Sequence, residues 1–178
     1  GNGLSGVGLA AAGNMVKGNY IGTDINGTSA IQNGEVGVII SQADNNTVGG
    51  AAGGSCAAPC NLLSGNLYGV VIQSGASGNL VQGNRIGTNP GGTSKLGNTS
   101  AGVLVADSSN NTIGGTSSGL GNILSGNGTY GAFIFASGAS RSDAADFPSL
   151  QQPKRLRLSI ATSDTTAVRR LIMGLSSQ

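Results

Sequence analysis

Tryptophan and histidine are absent from this 178-residue chain, and aromatic residues make up only 3% of it. A core built on rings is therefore unavailable, and any core must be aliphatic and narrow, as in stacked repeat proteins. Without histidine, the usual Ser-His-Asp and Cys-His nucleophilic arrangements are excluded. So are imidazole-based zinc, iron and copper sites. Charged residues are also scarce, at 9%. No run of about 18 apolar residues occurs, so the sequence predicts no membrane span.

Glycine is abundant instead, with 33 residues. Short Val, Ile and Leu runs alternate with Gly, Asn, Ser and Thr, a pattern of many short strands separated by tight turns. The net charge of +2 is unevenly placed. Residues 1–140 hold three basic side chains (Lys17, Arg85, Lys95) and four acidic ones (Asp24, Glu35, Asp44, Asp107). Residues 141–178 hold six basic and three acidic. The first region offers no basic stripe, so no nucleic-acid partner is expected. The chain starts at Gly1 in mid-pattern, without Met or a signal peptide, which points to a processed product or an excised fragment.

Self-comparison finds a long repeat. Gly13-Asn14-Met15-Val16-Lys17-Gly18-Asn19-Tyr20-Ile21-Gly22-Thr23 recurs 65 residues later as Gly78-Asn79-Leu80-Val81-Gln82-Gly83-Asn84-Arg85-Ile86-Gly87-Thr88. The same offset carries Asn45-Asn46-Thr47-Val48-Gly49-Gly50 onto Asn110-Asn111-Thr112-Ile113-Gly114-Gly115. Asn61-Leu62-Leu63-Ser64-Gly65-Asn66 then matches Asn122–Asn127 at an offset of 61, which places four extra residues in Ala51–Cys60. Strand-like pieces are Asn14–Ile21, Gly37–Ser41, Asn46–Val48, Asn61–Leu63 and Gly69–Ile72. With about twenty residues per coil, a unit spans three coils and advances about 14 Å, three strand spacings. Aliphatic side chains at alternate positions point inward and stack. Glycine supplies corners with positive φ, and asparagine tolerates the same corners. Asparagine amides can also bond from coil to coil as a ladder.

The phrases GNYIGTDINGT, NNTVGG, NLLSGN, GVVI and GNLVQGNRIGT resemble those of bacterial parallel β-helix repeat proteins, in the right-handed, pectate-lyase-like solenoid group. The resemblance covers residues 1–140. It implies an all-β, right-handed parallel β-helix in a secreted or cell-surface protein. It implies little about activity, because that scaffold carries lyases, hydrolases, adhesive stalks and spacers.

After Ser140 the pattern stops: where the repeat calls for Gly-Asn, the chain reads Arg141-Ser142-Asp143. Residues 141–178 thus form a non-repeat tail, either a cap on the open solenoid end or a foreign or frame-shifted extension. Leu156, Leu158 and Ile160 alternate as in one strand, and Thr165 to Leu175 reads as a short helix. An uncapped end is expected to associate with other copies by end or edge stacking.

Cys56 and Cys60 both lie in the insertion. Two cysteines without histidine make a poor zinc site, so a local disulfide is expected, in keeping with an oxidising extracellular location. The remaining chemistry is that of carboxylates, lysine, arginine, tyrosine and a hard metal. Thr23-Asp24-Ile25-Asn26-Gly27-Thr28 resembles the opening of a calcium loop, with oxygen ligands at alternate positions and a glycine turn. It lacks the bidentate Glu, and a surface turn is the competing reading. Asp24, Asn26, Glu35 and Asp44 are the candidate Ca2+ ligands. Lys17, Asp24, Glu35 and Asp44 are the candidate acid–base residues, and their second-unit equivalents are Gln82, Asn89, Ser100 and Ser109.

Two functions follow. The first is a structural or binding module of a secreted or surface repeat protein. The second is a calcium-assisted hydrolase of a lactone, ester or glycan, or a polysaccharide lyase, in which the metal polarises a carbonyl or activates water.

Overall fold

In the computed structural model, residues 1–53, 56–135 and 160–161 are described. The repeat folds as a parallel β-solenoid of about four coils, three strands to a coil. The first coil holds β1 (Ser5–Leu9), β2 (Met15–Val16) and β3 (Tyr20–Ile21). The second holds β4 (Val36–Ser41), β5 (Thr47–Gly49) and β6 (Leu62–Leu63). The third holds β7 (Tyr68–Gln73), β8 (Leu80–Gln82) and β9 (Arg85–Ile86). The fourth holds β10 (Ala101–Ala106), β11 (Thr112–Ile113) and β12 (Ile123–Leu124). A fifth coil opens with β13 (Tyr130–Phe135).

Three sheets result. Sheet A is β1-β4-β7-β10-β13, sheet B contains β2-β5-β8-β11, and sheet C is β3-β6-β9-β12. Each sheet sends aliphatic columns inward. In sheet A the register stacks Val7, Val38, Val70, Val103 and Ala132. A second column there is Leu9, Ile40, Ile72, Val105 and Ile134. Sheet B stacks Val16, Val48, Val81 and Ile113, and sheet C stacks Ile21, Leu63, Ile86 and Leu124. These columns form one continuous core without an aromatic ring.

Two expectations are corrected. The 65-residue unit is two coils, not three. Val38 pairs with Val70 and Val70 with Val103, so a coil takes 32 or 33 residues there. The unit therefore advances about 10 Å, two strand spacings. The extra length lies in corner loops. Odd coils carry a long loop after sheet C (22–35 and 87–100), and even coils carry one after sheet B (50–61 and 114–122). This alternation is why the sequence repeats every second coil. The other correction concerns Asn14–Ile21, which is not one strand. It folds as β2 and β3 around a corner at Lys17-Gly18-Asn19.

Glycine is required where a corner meets the neighbouring coil. Gly22 and Gly87 follow β3 and β9 with φ of 90° and 93°. A Cβ on Gly22 would strike the Ser64 carbonyl, and one on Gly87 would strike that of Ser125. The left-handed backbone and the close approach both exclude other residues.

At the far end of sheet B, β14 (Ile160–Ala161) pairs antiparallel with β11. This is the end of the strand expected around Leu156, Leu158 and Ile160. Leu156 and Leu158 themselves, the boundary at residue 140 and the helix expected from Thr165 to Leu175 lie outside the described residues.

Candidate functional site

The polar side chains best placed to act are the asparagines, and the fold uses them internally. One stands immediately before each of β2, β3, β5, β6, β8, β9, β11 and β12, and two or three residues before each strand of sheet A. They form three ladders. Asn2, Asn33, Asn66, Asn98 and Asn127 line the corner between sheets C and A. Asn14, Asn46, Asn79 and Asn111 line the corner between A and B. Asn19, Asn61, Asn84 and Asn122 line the corner between B and C.

Each step has the same bonding. The backbone N–H and the Nδ2 of one asparagine both donate to the Oδ1 of the asparagine in the next coil. For Asn46 to Asn79 the distances are 2.8 and 3.1 Å. The second Nδ2 hydrogen donates back to a main-chain carbonyl: Asn79 to Ala43 O at 3.0 Å, Asn84 to Val48 O at 2.9 Å, Asn98 to Leu63 O at 3.0 Å. An interior asparagine thus satisfies its amide completely, as burial demands. Every ladder runs in one direction, with donors facing the C-terminal end.

The candidate ionisable residues are spread over three corners, with Asp24 and Glu35 in the same loop. Lys17 is exposed in the corner between β2 and β3, and Asp44 is exposed between β4 and β5. Asp24 and Asn26 belong to the loop after β3, and Glu35 is exposed at the end of that loop. Among the described residues, no three or more His, Cys, Asp or Glu side chains gather where they could share a metal ion.

Asp24 organises its own turn. Its Oδ1 accepts from Thr28 N at 2.7 Å and Ser29 N at 3.0 Å, and its Oδ2 accepts from Thr28 Oγ1 at 3.1 Å. The backbone donors of Ser29 and Thr28 hold its carboxyl below the ordinary value of 3.8. Asn89 builds the same turn in the second unit: its Oδ1 accepts from Thr93 N at 2.9 Å and Ser94 N at 3.2 Å. Asp44 Oδ1 likewise accepts from Ser77 N at 2.7 Å, bracing the next coil. Thr23–Thr28 thus folds as a turn in which the Asp24 carboxylate accepts from backbone and hydroxyl donors. Exposed carboxylates in such turns also attract cations only weakly unless several converge.

Cys56 and Cys60 are joined by a disulfide, with Cα atoms 5.2 Å apart. With Ala52 they pack over Leu62, on the outer side of sheet C. The Cys56 N–H donates to Pro90 O at 3.2 Å, tying this loop to the next odd-coil loop. Arg85, which sequence reasoning set aside, is buried on the same side of sheet C. Its neighbours are loop residues such as Gly92, and burial by an adjacent coil is not legible in a linear sequence.

Two surfaces remain. The outer face of sheet A carries the row Gly8, Ile39, Val71, Leu104 and Phe133, with Ser41, Gln73 and Ala106 beside it. At the N-terminal end a depression of about 320 Å³ is lined by Asn2, Tyr20, Ile21, Thr23, Ile31 and Asn33, among others, and by no carboxylate, lysine or arginine side chain. No helix among the described residues is long and apolar enough to cross a membrane. No protein-family model, curated protein or solved structure matches the chain.

Proposed function

We propose that the protein is a structural or binding module of a secreted or surface-located bacterial repeat protein, of the pectate-lyase-like kind that its phrases resemble. One observation carries this reading. The corner asparagines are engaged in ladders that hold the solenoid, and two of the four candidate ionisable residues, Asp24 and Asp44, are bonded to backbone N–H groups. The spread of Lys17, Asp44 and the loop holding Asp24 and Glu35 over three corners supports it further. The Cys56–Cys60 disulfide supports an oxidising location. A carbohydrate is the ligand class that the resemblance brings with it, and the uncharged outer face of sheet A is the surface to test for it.

The test is a turnover screen on lactones, esters and acidic polysaccharides, with Ca2+ and with EDTA. The expected result is no turnover and a melting temperature indifferent to EDTA. Calcium-dependent turnover abolished by Asp44→Ala would replace this reading with the calcium-assisted hydrolase or lyase.

A further inference from the structure

Asparagine followed by glycine is a dipeptide open to a reaction of the chain with itself, because glycine has no Cβ to keep its backbone nitrogen away from the preceding side chain. The sequence holds four such pairs: Asn2-Gly3, Asn26-Gly27, Asn33-Gly34 and Asn127-Gly128. The first lies beside the terminus, and the other three lie inside the repeat. As dipeptides these three are the same. The fold separates them.

Asn33 and Asn127 are ladder residues. Asn33 is 4% exposed. Its Nδ2 donates to Asn66 Oδ1 at 2.9 Å, and its backbone N–H donates to the same atom at 3.3 Å. Asn127 Nδ2 donates to Ile86 O at 3.1 Å. Asn127 Oδ1 accepts from the backbone N–H of Asn98 at 3.2 Å and from its Nδ2 at 2.9 Å. These bonds fix the amide plane and hold the nitrogen that would have to leave. Turning either amide toward the next backbone nitrogen breaks rungs of the ladder, and buried partners left without a bond are costly.

Asn26 is exposed, and its side-chain amide makes no hydrogen bond with the described residues. It stands in the turn that Asp24 organises. The Gly27 N–H donates to Asp24 O at 3.0 Å, and Gly27 packs toward Leu62 and Pro90, so the turn must open before the two groups can meet. Opening it breaks a turn bond and no ladder rung, and local openings of that kind are among the least costly in a fold. The exposure does not come from the place of the first coil in the stack. Gly91, the counterpart of Asn26 in the third coil, is exposed although coils pack on both sides of it.

We propose that Asn26 is a site of spontaneous deamidation, selected by the fold from the three Asn-Gly pairs of the repeat. The Gly27 nitrogen attacks Asn26 Cγ. A C–N bond forms, the Cγ–Nδ2 bond breaks, and Nδ2 leaves as ammonia with the proton given up by Gly27. Water then opens the resulting succinimide. Addition at the side-chain carbonyl gives aspartate, and addition at the main-chain carbonyl gives isoaspartate, with the chain rerouted through Cγ. Either product adds a carboxylate two residues from Asp24. The second unit cannot follow, since Gly91 has no side-chain amide. Water is the only co-reactant, so the reaction is independent of the scaffold reading and of any turnover.

The experiment holds the folded chain in mildly alkaline buffer, which favours loss of the Gly27 proton, and samples it by peptide mapping with mass spectrometry. The mass change from Asn to Asp is followed at Asn26, Asn33 and Asn127, and isoaspartate is separated from aspartate by chromatography. Conversion at Asn26 is expected to run at least about tenfold faster than at Asn33 or Asn127. In denaturant the three rates should come together, because only the reactivity of the dipeptide remains. Asn26→Gln, whose longer side chain closes the ring poorly, should leave residue 26 unconverted in the folded chain. An Asn26 that stays intact in the folded chain while the denatured chain converts there overturns the proposal. So does conversion of Asn33 or Asn127 as fast as Asn26 in the folded chain. A preference for Asn26 that persists undiminished in denaturant also overturns it, since the fold would then not be the selector.

Discussion

The two double coils, residues 1–65 and 66–126, build the same structure with different side chains at every ionisable position. Lys17, Asp24, Glu35 and Asp44 stand in the first where Gln82, Asn89, Ser100 and Ser109 stand in the second. The ladder asparagines and the corner glycines are the same in both. What the fold demands is therefore an oxygen acceptor or a missing Cβ at a given corner, and charge is dispensable. The Asp24 and Asn89 turns make the point directly, since a carboxylate and an amide accept from equivalent backbone N–H groups. The two segments are versions of one turn, with Asp24 as acceptor in the first unit and Asn89 in the second.

The sharpest way to break the equivalence is to remove ladder rungs at different depths. Asn79→Ala strands the buried Asn46 N–H and the Ala43 carbonyl. It should cost about 3–5 kcal/mol by chemical denaturation. Asn14→Ala, at the same corner in the first coil, loses one exposed and one part-buried bond while Asn46 Oδ1 keeps the backbone N–H of residue 14, and it should cost about 1 kcal/mol or less. Equal losses would mean that the ladder does not depend on burial.

The corner glycines should instead behave alike in both units. Gly22→Ala and Gly87→Ala each combine a positive φ with a clash against a carbonyl. Each should cost about 2–3 kcal/mol, measured in the same denaturation experiment. A mild effect at Gly22 alone would show that the first coil relaxes where the third cannot.

The smallest effects belong to the turns. Asp24→Asn should leave the melting temperature nearly unchanged at neutral pH, since Asn89 already builds that turn. Asp24→Ala and Asn89→Ala should lower it by similar, small amounts. The acid limb separates the two units. The folded pKa of Asp24 lies below its ordinary value of 3.8. Its stabilising contribution is therefore present above that value and is lost as pH falls through the lower folded one. Asp24→Asn should flatten the acid limb, whereas Asn89 substitutions should leave it untouched. Solvent exposure keeps this contribution small, so it is best read by comparing melting curves between pH 5 and pH 2 for the two chains.

Much of the architecture was legible because a solenoid writes itself into sequence locally. Val, Ile and Leu at alternate positions gave the inward columns, and recurrent Asn at the corners gave the ladders. Gly22 and Gly87 marked corners that tolerate no side chain. The coil count was not legible, because corner loops of 22–35 and 50–61 lengthen a coil without adding a strand. Nor was the break inside Asn14–Ile21. A three-residue corner at Lys17-Gly18-Asn19 leaves no gap in the apolar pattern.

The candidate site shows the same division. The sequence by itself determined which residues carry charge, that no imidazole chemistry is possible, and that Cys56 and Cys60 are close enough along the chain to pair. Only the tertiary structure decided that Lys17 and Asp44 fall at different corners from the loop holding Asp24 and Glu35, and that Asp24 and Asp44 spend hydrogen bonds on the backbone. The reason is geometric. Neighbours within a turn are set by bonds along the chain. Neighbours across a solenoid are set by which coil stacks on which, and that depends on the lengths of loops whose residues make no strand.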